Sequence, residues 1–167
     1  MNNIRTVRDI LSCSREIYPT RTAFLQADGK EITYEEFARD VDALAIALKE
    51  KLQLNKSHVG IMSANSYWWC VAYFAIASGE GVIVPLDKDN TGENSAGLIE
   101  FGEVKAVICD RASALALRKS NAECILICTG ETELEGVISL DELLTYGKER
   151  IREGIEIIPQ KDPDEMA

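Results

Sequence analysis

Apolar positions recur along the chain with two periods, near 3.6 and near 2, and the switches between them set out its elements. Residues from Thr6 to Tyr18 predict a first helix, stopped by Pro19 because proline cannot continue the hydrogen-bond ladder. The stretch "TAFLQADGKEIT" reads as two short extended runs joined by a two-residue hairpin turn at Asp28-Gly29. In "ITYEEF", Thr33 is placed to cap the next helix and Glu36, three residues on, completes a capping box. Ile32 and Phe37 occupy the positions of a hydrophobic staple. Phe37, Val41, Leu44, Leu48 and Leu52 then hold one apolar stripe, with Glu35, Arg39, Asp42 and Lys49 away from it. The pattern predicts an amphipathic helix that covers one face of a larger layer.

The later segments are more apolar. "HVGIMSA" predicts a strand, and "NSYWWCVAYFAIASG" a helix apolar almost all round and ended by Gly79. "GVIVPLD" is apolar at nearly every position, the pattern of an internal parallel strand. A helix from about Thr91 to Phe101, ended by Gly102, follows. "VKAVICD" (strand), "RASALALRKS" (helix) and "AECILICT" (strand) come next, and Ser139 with Glu142 form a second S-x-x-E box opening a helix toward Arg152. Beyond it, "IEIIP" has strand-like pattern before the charged run "QKDPDEMA". Alternating strands and helices with short connections predict an α/β fold: an open, mostly parallel sheet with helices on both faces, plus an amino-terminal β-hairpin.

Composition narrows the partners. With 46% hydrophobic and 28% charged residues, the chain has what an ordinary folded domain needs. A net charge of −10 argues against nucleic acid or an anionic membrane surface. The longest apolar stretch, Tyr67 to Ala77, is broken by Ser78, Gly79, Glu80 and Gly81 and is too short to cross a bilayer. No apolar core of signal-peptide length opens the chain, and the five cysteines include no C-x-x-C. Cys70 and Cys109 sit in apolar runs, and Cys124 and Cys128 share one face of a strand. They read as small buried thiols in a reducing, cytoplasmic setting. The one histidine, His58, stands at a strand start and reads as structural.

Recognisable catalytic devices are missing. There is no G-x-G-x-x-G, no G-x-x-x-x-G-K-[ST] and no G-x-S-x-G. "SGEG" follows a helix and places Glu80 between its glycines, so it reads as a helix end rather than a phosphate cradle. Asp87, Asp89 and Asp110 fall at or just after strand ends, where ligands bind in open α/β sheets, but aspartates there also cap loops and helices. Trp68 and Trp69 could line an apolar pocket and read more simply as core.

Order and spacing carry more than any single motif. "ITYEEFARDVDALAIAL", "HVGIMSANSYWWCVAYFAIASGEGVIVPLD" and "LIEFGEVKAVICD" together resemble the amino-terminal portion of the adenylate-forming ligase superfamily. Thr33, Tyr34, Glu36 and Phe37 match its T-Y-x-E-[LF] helix start. Asn65, Ser66 and Trp69 match its N-S-x-x-W helix start. Val84, Pro85, Leu86 and Asp87 match V-P-[LI]-[DN]. "VIVPLDKDNTGEN" is most similar to bacterial long-chain fatty acid–CoA ligases.

The resemblance implies an intact enzyme that uses ATP, Mg2+ and coenzyme A to convert a fatty acid to its acyl-CoA through an acyl-adenylate. In the family, a segment like "DPDEMA" leads into a strand and a Ser/Thr/Gly-rich phosphate loop. Residues 1–167 are therefore expected to be an amino-terminal subdomain ending before that loop. No catalytic, cofactor-binding or metal-binding residue is carried over onto this chain. Such a piece is expected to be inactive alone and to self-associate through an exposed sheet edge. The competing readings are a free-standing flavodoxin-like or receiver-like domain binding a small ligand or partner, and a purely structural interaction module.

Overall fold

Helix α1 (Val7–Ile17) starts at a capping box in which Thr6 accepts from the Asp9 amide and the Asp9 carboxylate accepts from the Thr6 amide. The computed structural model describes residues 4–79, 81–90, 92–130 and 132–155, so the "IEIIP" pattern beyond Ile155 lies outside the described residues, as does Glu80. After α1, strands β1 (Thr22–Leu25) and β2 (Glu31–Thr33) pair antiparallel. The turn between them differs from the two-residue expectation. The Gly29 amide donates to Gln26 O and the Gln26 amide to Lys30 O, enclosing Ala27, Asp28 and Gly29. A two-residue type I′ turn needs two left-handed residues, and of Asp28 and Gly29 only Gly29 has positive φ, at 83°.

Thr33 ends β2 and caps α2 (Tyr34–Ile46) as the sequence predicts. Its hydroxyl accepts from the Glu36 amide at 3.2 Å, and the Glu36 carboxylate accepts from the Thr33 amide at 2.8 Å. The Thr33 amide, together with the Thr33 hydroxyl that donates to the same oxygen at 2.9 Å, holds the Glu36 carboxyl below the usual carboxylate range. Ile32 and Phe37 are both buried in the same core. Thr33→Ala is expected to cost about 1 kcal/mol, the usual loss for an N-cap, measured by urea denaturation. Because the folded Glu36 pKa is lowered, the carboxylate half of the box stabilises the fold above the unfolded value and is lost as pH falls through the folded one. A variant as stable as the parent at neutral pH would remove the cap from the account.

Helix α2 is more enclosed than an amphipathic helix on one face. Ala43 to Leu48 are buried without a break, since α3 (Tyr67–Ser78) packs on one flank and α6 (Leu140–Arg152) on another. The helix then widens into a π-helical turn, Ala47–Lys51, which the stripe of leucines did not forecast. Asp42 faces α1, not solvent, and meets Arg8 and Arg15.

The main sheet contains β3 (His58–Met62), β4 (Val82–Pro85), β5 (Val104–Cys109), β6 (Ile125–Cys128) and β7 (Val137–Ser139), in the order β4-β3-β5-β6-β7. All four pairings are parallel. Helices α1, α2, α3 and α6 cover one face over Val59, Ile61, Ala106, Ile108 and Ile127. Helices α4 (Gly92–Phe101) and α5 (Arg111–Lys119) cover the other over Met62, Val107, Cys109 and Leu126. The result is a three-layer α/β fold, as the alternation of elements implies.

Two expectations need correction here. Among the described residues β4 is an edge strand, not an internal one, and its residues are half-buried or exposed. The amides of Val82 and Leu86 donate inward to β3, at Ser57 O and Ile61 O. Backbone direction alternates, so Ile83 and Pro85 face outward, and Pro85 has no N–H to offer a further strand. The S-x-x-E box at α6 also fails to close. Ser139 caps the Asp141 amide at 3.2 Å, while the Glu142 carboxylate is drawn to Lys51 at 2.5 Å. β7 itself, three residues long, has too little pattern to be seen in sequence.

Candidate functional site

In an open parallel sheet, ligands gather beyond the carboxyl ends of the strands where the chain reverses its direction of winding. Here that point lies between β3, whose connection leads to β4, and β5, whose connection leads away to β6. Ser63, Asn65 and Ser66 follow β3 there, and Asp110 follows β5. Asp87, Lys88 and Asp89 follow neighbouring β4.

The charged groups at this end, and Ser66, already have local tasks. Ser66 accepts from the Trp69 amide and caps α3, and Asp110 accepts from the Ser113 amide at 2.8 Å and caps α5. The Asp87 carboxylate accepts from the Asp89 amide at 2.9 Å, and Lys88 Nζ donates to Asp89 at 2.5 Å. The bond to Asp89 raises the Lys88 pKa, with Asp87 and Asp110 adding to it. The structure thus brings the three candidate aspartates near Lys88, Asp87 as a loop cap, Asp110 as a helix cap and Asp89 as the ion-pair partner.

Two helix N-termini that could have received phosphate are filled by their own side chains, one of them by a carboxylate that repels anions. Among the described residues no group of three His, Cys, Asp or Glu could hold a metal ion. These residues do not fit a nucleotide or Mg2+ site on their own, and no chemical step is assigned to them.

The other candidates are structural. His58 Nδ1 lies 2.5 Å from Gly102 O and ties the start of β3 to the end of α4. Trp68 and Trp69 are half-buried and pack on the larger core, with Trp69 stacked on Tyr73 at 5.5 Å. A polar chain that sequence reasoning missed runs nearby. Buried Tyr67 donates to Asp40 at 2.8 Å, and Lys148 pairs with the other oxygen of the same carboxylate at 2.8 Å. Burial and the Asp40 charge push the Tyr67 phenol well up, so it stays a donor. A tyrosine opening α3 and an aspartate on the preceding α2 gave no sequence signal of that contact.

A cavity of about 730 Å³ lies elsewhere, along α4 and at the amino ends of β5 and β6. Glu93, Glu100, Glu103 and Glu123 line it with Lys105, a charge balance that disfavours anionic ligands. Among the described residues, no helix is long and apolar enough to cross a membrane.

Comparison with known proteins supplies what the site does not. A nonribosomal peptide synthetase of Aspergillus fumigatus is 33% identical over 110 residues, 66% of this chain and 5% of that protein. A CoA ligase of Rhodococcus jostii is 25% identical over 139 residues, 75% of this chain and 27% of that protein. Among solved structures, an anthranilate CoA ligase with anthranoyl-AMP superposes with a TM-score of 0.75 at 17% identity, over 84% of this chain and 28% of that one. A putative long-chain-fatty-acid CoA ligase from Rhodopseudomonas palustris gives 0.74 at 18%, over 83% and 36%. Those two likenesses establish the fold. The chain spans only a fraction of the length of each of these proteins. The model of the AMP-binding enzyme family matches residues 14–167, and the chain belongs to that family.

Proposed function

We propose that residues 1–167 are the amino-terminal subdomain of an ATP-dependent, AMP-forming acid–thiol ligase whose acid is a long-chain fatty acid. The observation that carries this reading is the family match over residues 14–167. The fatty-acid assignment is supported by "VIVPLDKDNTGEN" and by the fold likeness to the Rhodopseudomonas palustris protein. A second reading, with an amino acid as the acid, is favoured by the Aspergillus fumigatus relative.

The proposed reaction has two stages: an acyl-adenylate forms with loss of pyrophosphate, then a thioester to coenzyme A forms with loss of AMP. The contribution of this chain is packing. Its sheet presents the strand ends to the remainder of the enzyme, and the Tyr67–Asp40–Lys148 chain ties α3, α2 and α6 together on one face of that sheet. The phosphate contacts and the catalytic residues are assigned to polypeptide beyond Ala167.

ATP–pyrophosphate exchange tests the proposal on the 167-residue chain and on a family-length polypeptide containing it. The short chain is expected to show no exchange with any fatty acid and no saturable ATP binding at millimolar nucleotide. The long one is expected to exchange with long-chain fatty acids and to form acyl-CoA. Exchange with amino acids alone would replace the acid. Tight stoichiometric ATP binding by the short chain would replace the subdomain with a free-standing nucleotide-binding domain.

A further inference from the structure

An aromatic floor and a charged rim meet in a cleft of about 230 Å³ between the β1–β2 hairpin, α2, the start of α3 and α6. Ile32 and Tyr67 are buried beneath it, and the half-buried Trp68 packs on the Tyr67 ring at 4.8 Å. All three belong to or pack on the larger core, so these walls stand ready before any ligand arrives.

The charges around the cleft do not cancel in pairs. Asp40 has both carboxylate oxygens engaged, one by Tyr67 and the other by Lys148. Glu36 is engaged by the Thr33 amide and hydroxyl. Lys30 and Arg39 line the same cleft, and among the described residues neither has an ion-pair partner. After the Thr33 bonds, the charges of Arg39 and Lys30 both help to hold the Glu36 carboxyl low, which sets both cations beside this wall. The result is a local excess of cation on a chain of net charge −10.

That arrangement selects its occupant. A guanidinium takes a carboxylate through two parallel bonds, and a lysine adds a point charge. The Glu36 and Asp40 carboxylates nearby repel a dianion more than a monoanion, which disfavours inorganic phosphate. A flat ring gains most from an indole surface. The volume lies below that of sites for drug-sized molecules, so the occupant is a small molecule rather than a long acyl chain.

We propose that this cleft binds a small aromatic monocarboxylate, with Arg39 and Lys30 on the carboxylate and Trp68 against the ring. No bond is made or broken there. The site stands whether or not the ligase reading does, and its test needs no ligase activity.

Benzoate is the probe, titrated into the 167-residue chain carrying Trp69→Phe, which leaves Trp68 as the one tryptophan. Phenylalanine keeps a ring against Tyr73 in place of the present stack. A saturable change in Trp68 emission is expected, with a Kd of about 1 mM or tighter. In the unsubstituted chain, benzoate should also shift the Tyr67 and Trp68 amide resonances, so the answer does not depend on that variant folding. Benzamide, the neutral isostere, and inorganic phosphate should give neither response. Arg39 is exposed and unpaired, so Arg39→Gln should keep the parent's urea midpoint while weakening benzoate by at least about tenfold. Lys30→Gln should weaken it roughly threefold, and Lys119→Gln, on α5 across the sheet, should leave it unchanged. Responses still linear at roughly ten times the expected Kd would overturn the site. So would equal responses to benzamide or phosphate, or an affinity unchanged in Arg39→Gln.

Discussion

Gly147→Ala is expected to destabilise the protein by about 3 kcal/mol, the upper end of the usual overpacking cost. A Cβ at this position would stand 1.9 Å from Ala43 O and 2.5 Å from Ala43 C, because α6 crosses α2 with backbone against backbone. Neither partner can rotate away, since the obstacle is main chain rather than a side-chain tip. Alanine's helix propensity returns about 1 kcal/mol, which is too little to reverse the sign. Against a total stability of about 5–15 kcal/mol, the loss is large, and melting should fall by roughly 6–12 °C. Gly147→Val should leave no folded protein. Trimming Ala43 to glycine should not rescue either variant, because the clash is with the Ala43 backbone. A Gly147→Ala chain that melts with the parent would show that the two helices are farther apart than described.

That contact also marks where sequence reading ran out. Apolar periodicity and capping boxes were sufficient for α1, α2, β3, α3 and α5, whose signals are local and whose ends are chemically punctuated. Thr33 with Glu36 is the clearest case, because the box uses residues three apart and no tertiary partner. Gly147 stood in a run of good helix formers and carried no turn signal. Its role depends on a helix roughly a hundred residues earlier, and nothing local encodes that. The Ser139–Glu142 box failed for the converse reason: Lys51, remote in sequence, outcompeted the local partner for the Glu142 carboxylate.

β4 shows a signal that was present and outweighed. A strand apolar on both faces predicts an interior position, but Pro85 falls on the outward-pointing register and argues for an edge. Weighting the missing N–H above the hydrophobic run gives the observed order. The candidate site was legible only in outline. Asp87, Asp89 and Asp110 stand after strand ends as read; Asp87 and Asp110 cap backbone amides, while Asp89 pairs with Lys88. Family membership rests on order and spacing over the whole chain, because the residues at the strand ends are spent on holding the fold.

Asp42→Ala should cost about 3 kcal/mol, the lower end for breaking a buried ion pair. Arg8 and Asp42 are 16% and 14% exposed at their side chains, and Arg8 donates to one Asp42 oxygen while Arg15 lies 3.4 Å from the other. Arg15 keeps a bidentate grip on Glu35, at 2.7 and 2.8 Å, when Asp42 is removed. Among the described residues Arg8 has no second carboxylate, so its guanidinium, 16% exposed, would be left unpaired beside Leu11. The cost is therefore an uncompensated charge rather than the net worth of the pair. Two consequences separate this account from a surface ion pair worth about 0–1 kcal/mol. The loss should persist at high salt, since screening reaches enclosed pairs poorly. The double replacement Arg8→Met with Asp42→Leu should recover most of the stability, because apolar packing fills the same space without a charge to desolvate. A double-mutant cycle by urea denaturation measures both. If Asp42→Ala costs under 1 kcal/mol and the double variant is no better than the single, α1 is held to α2 by Leu11 with its apolar neighbours and by the Arg15–Glu35 pair.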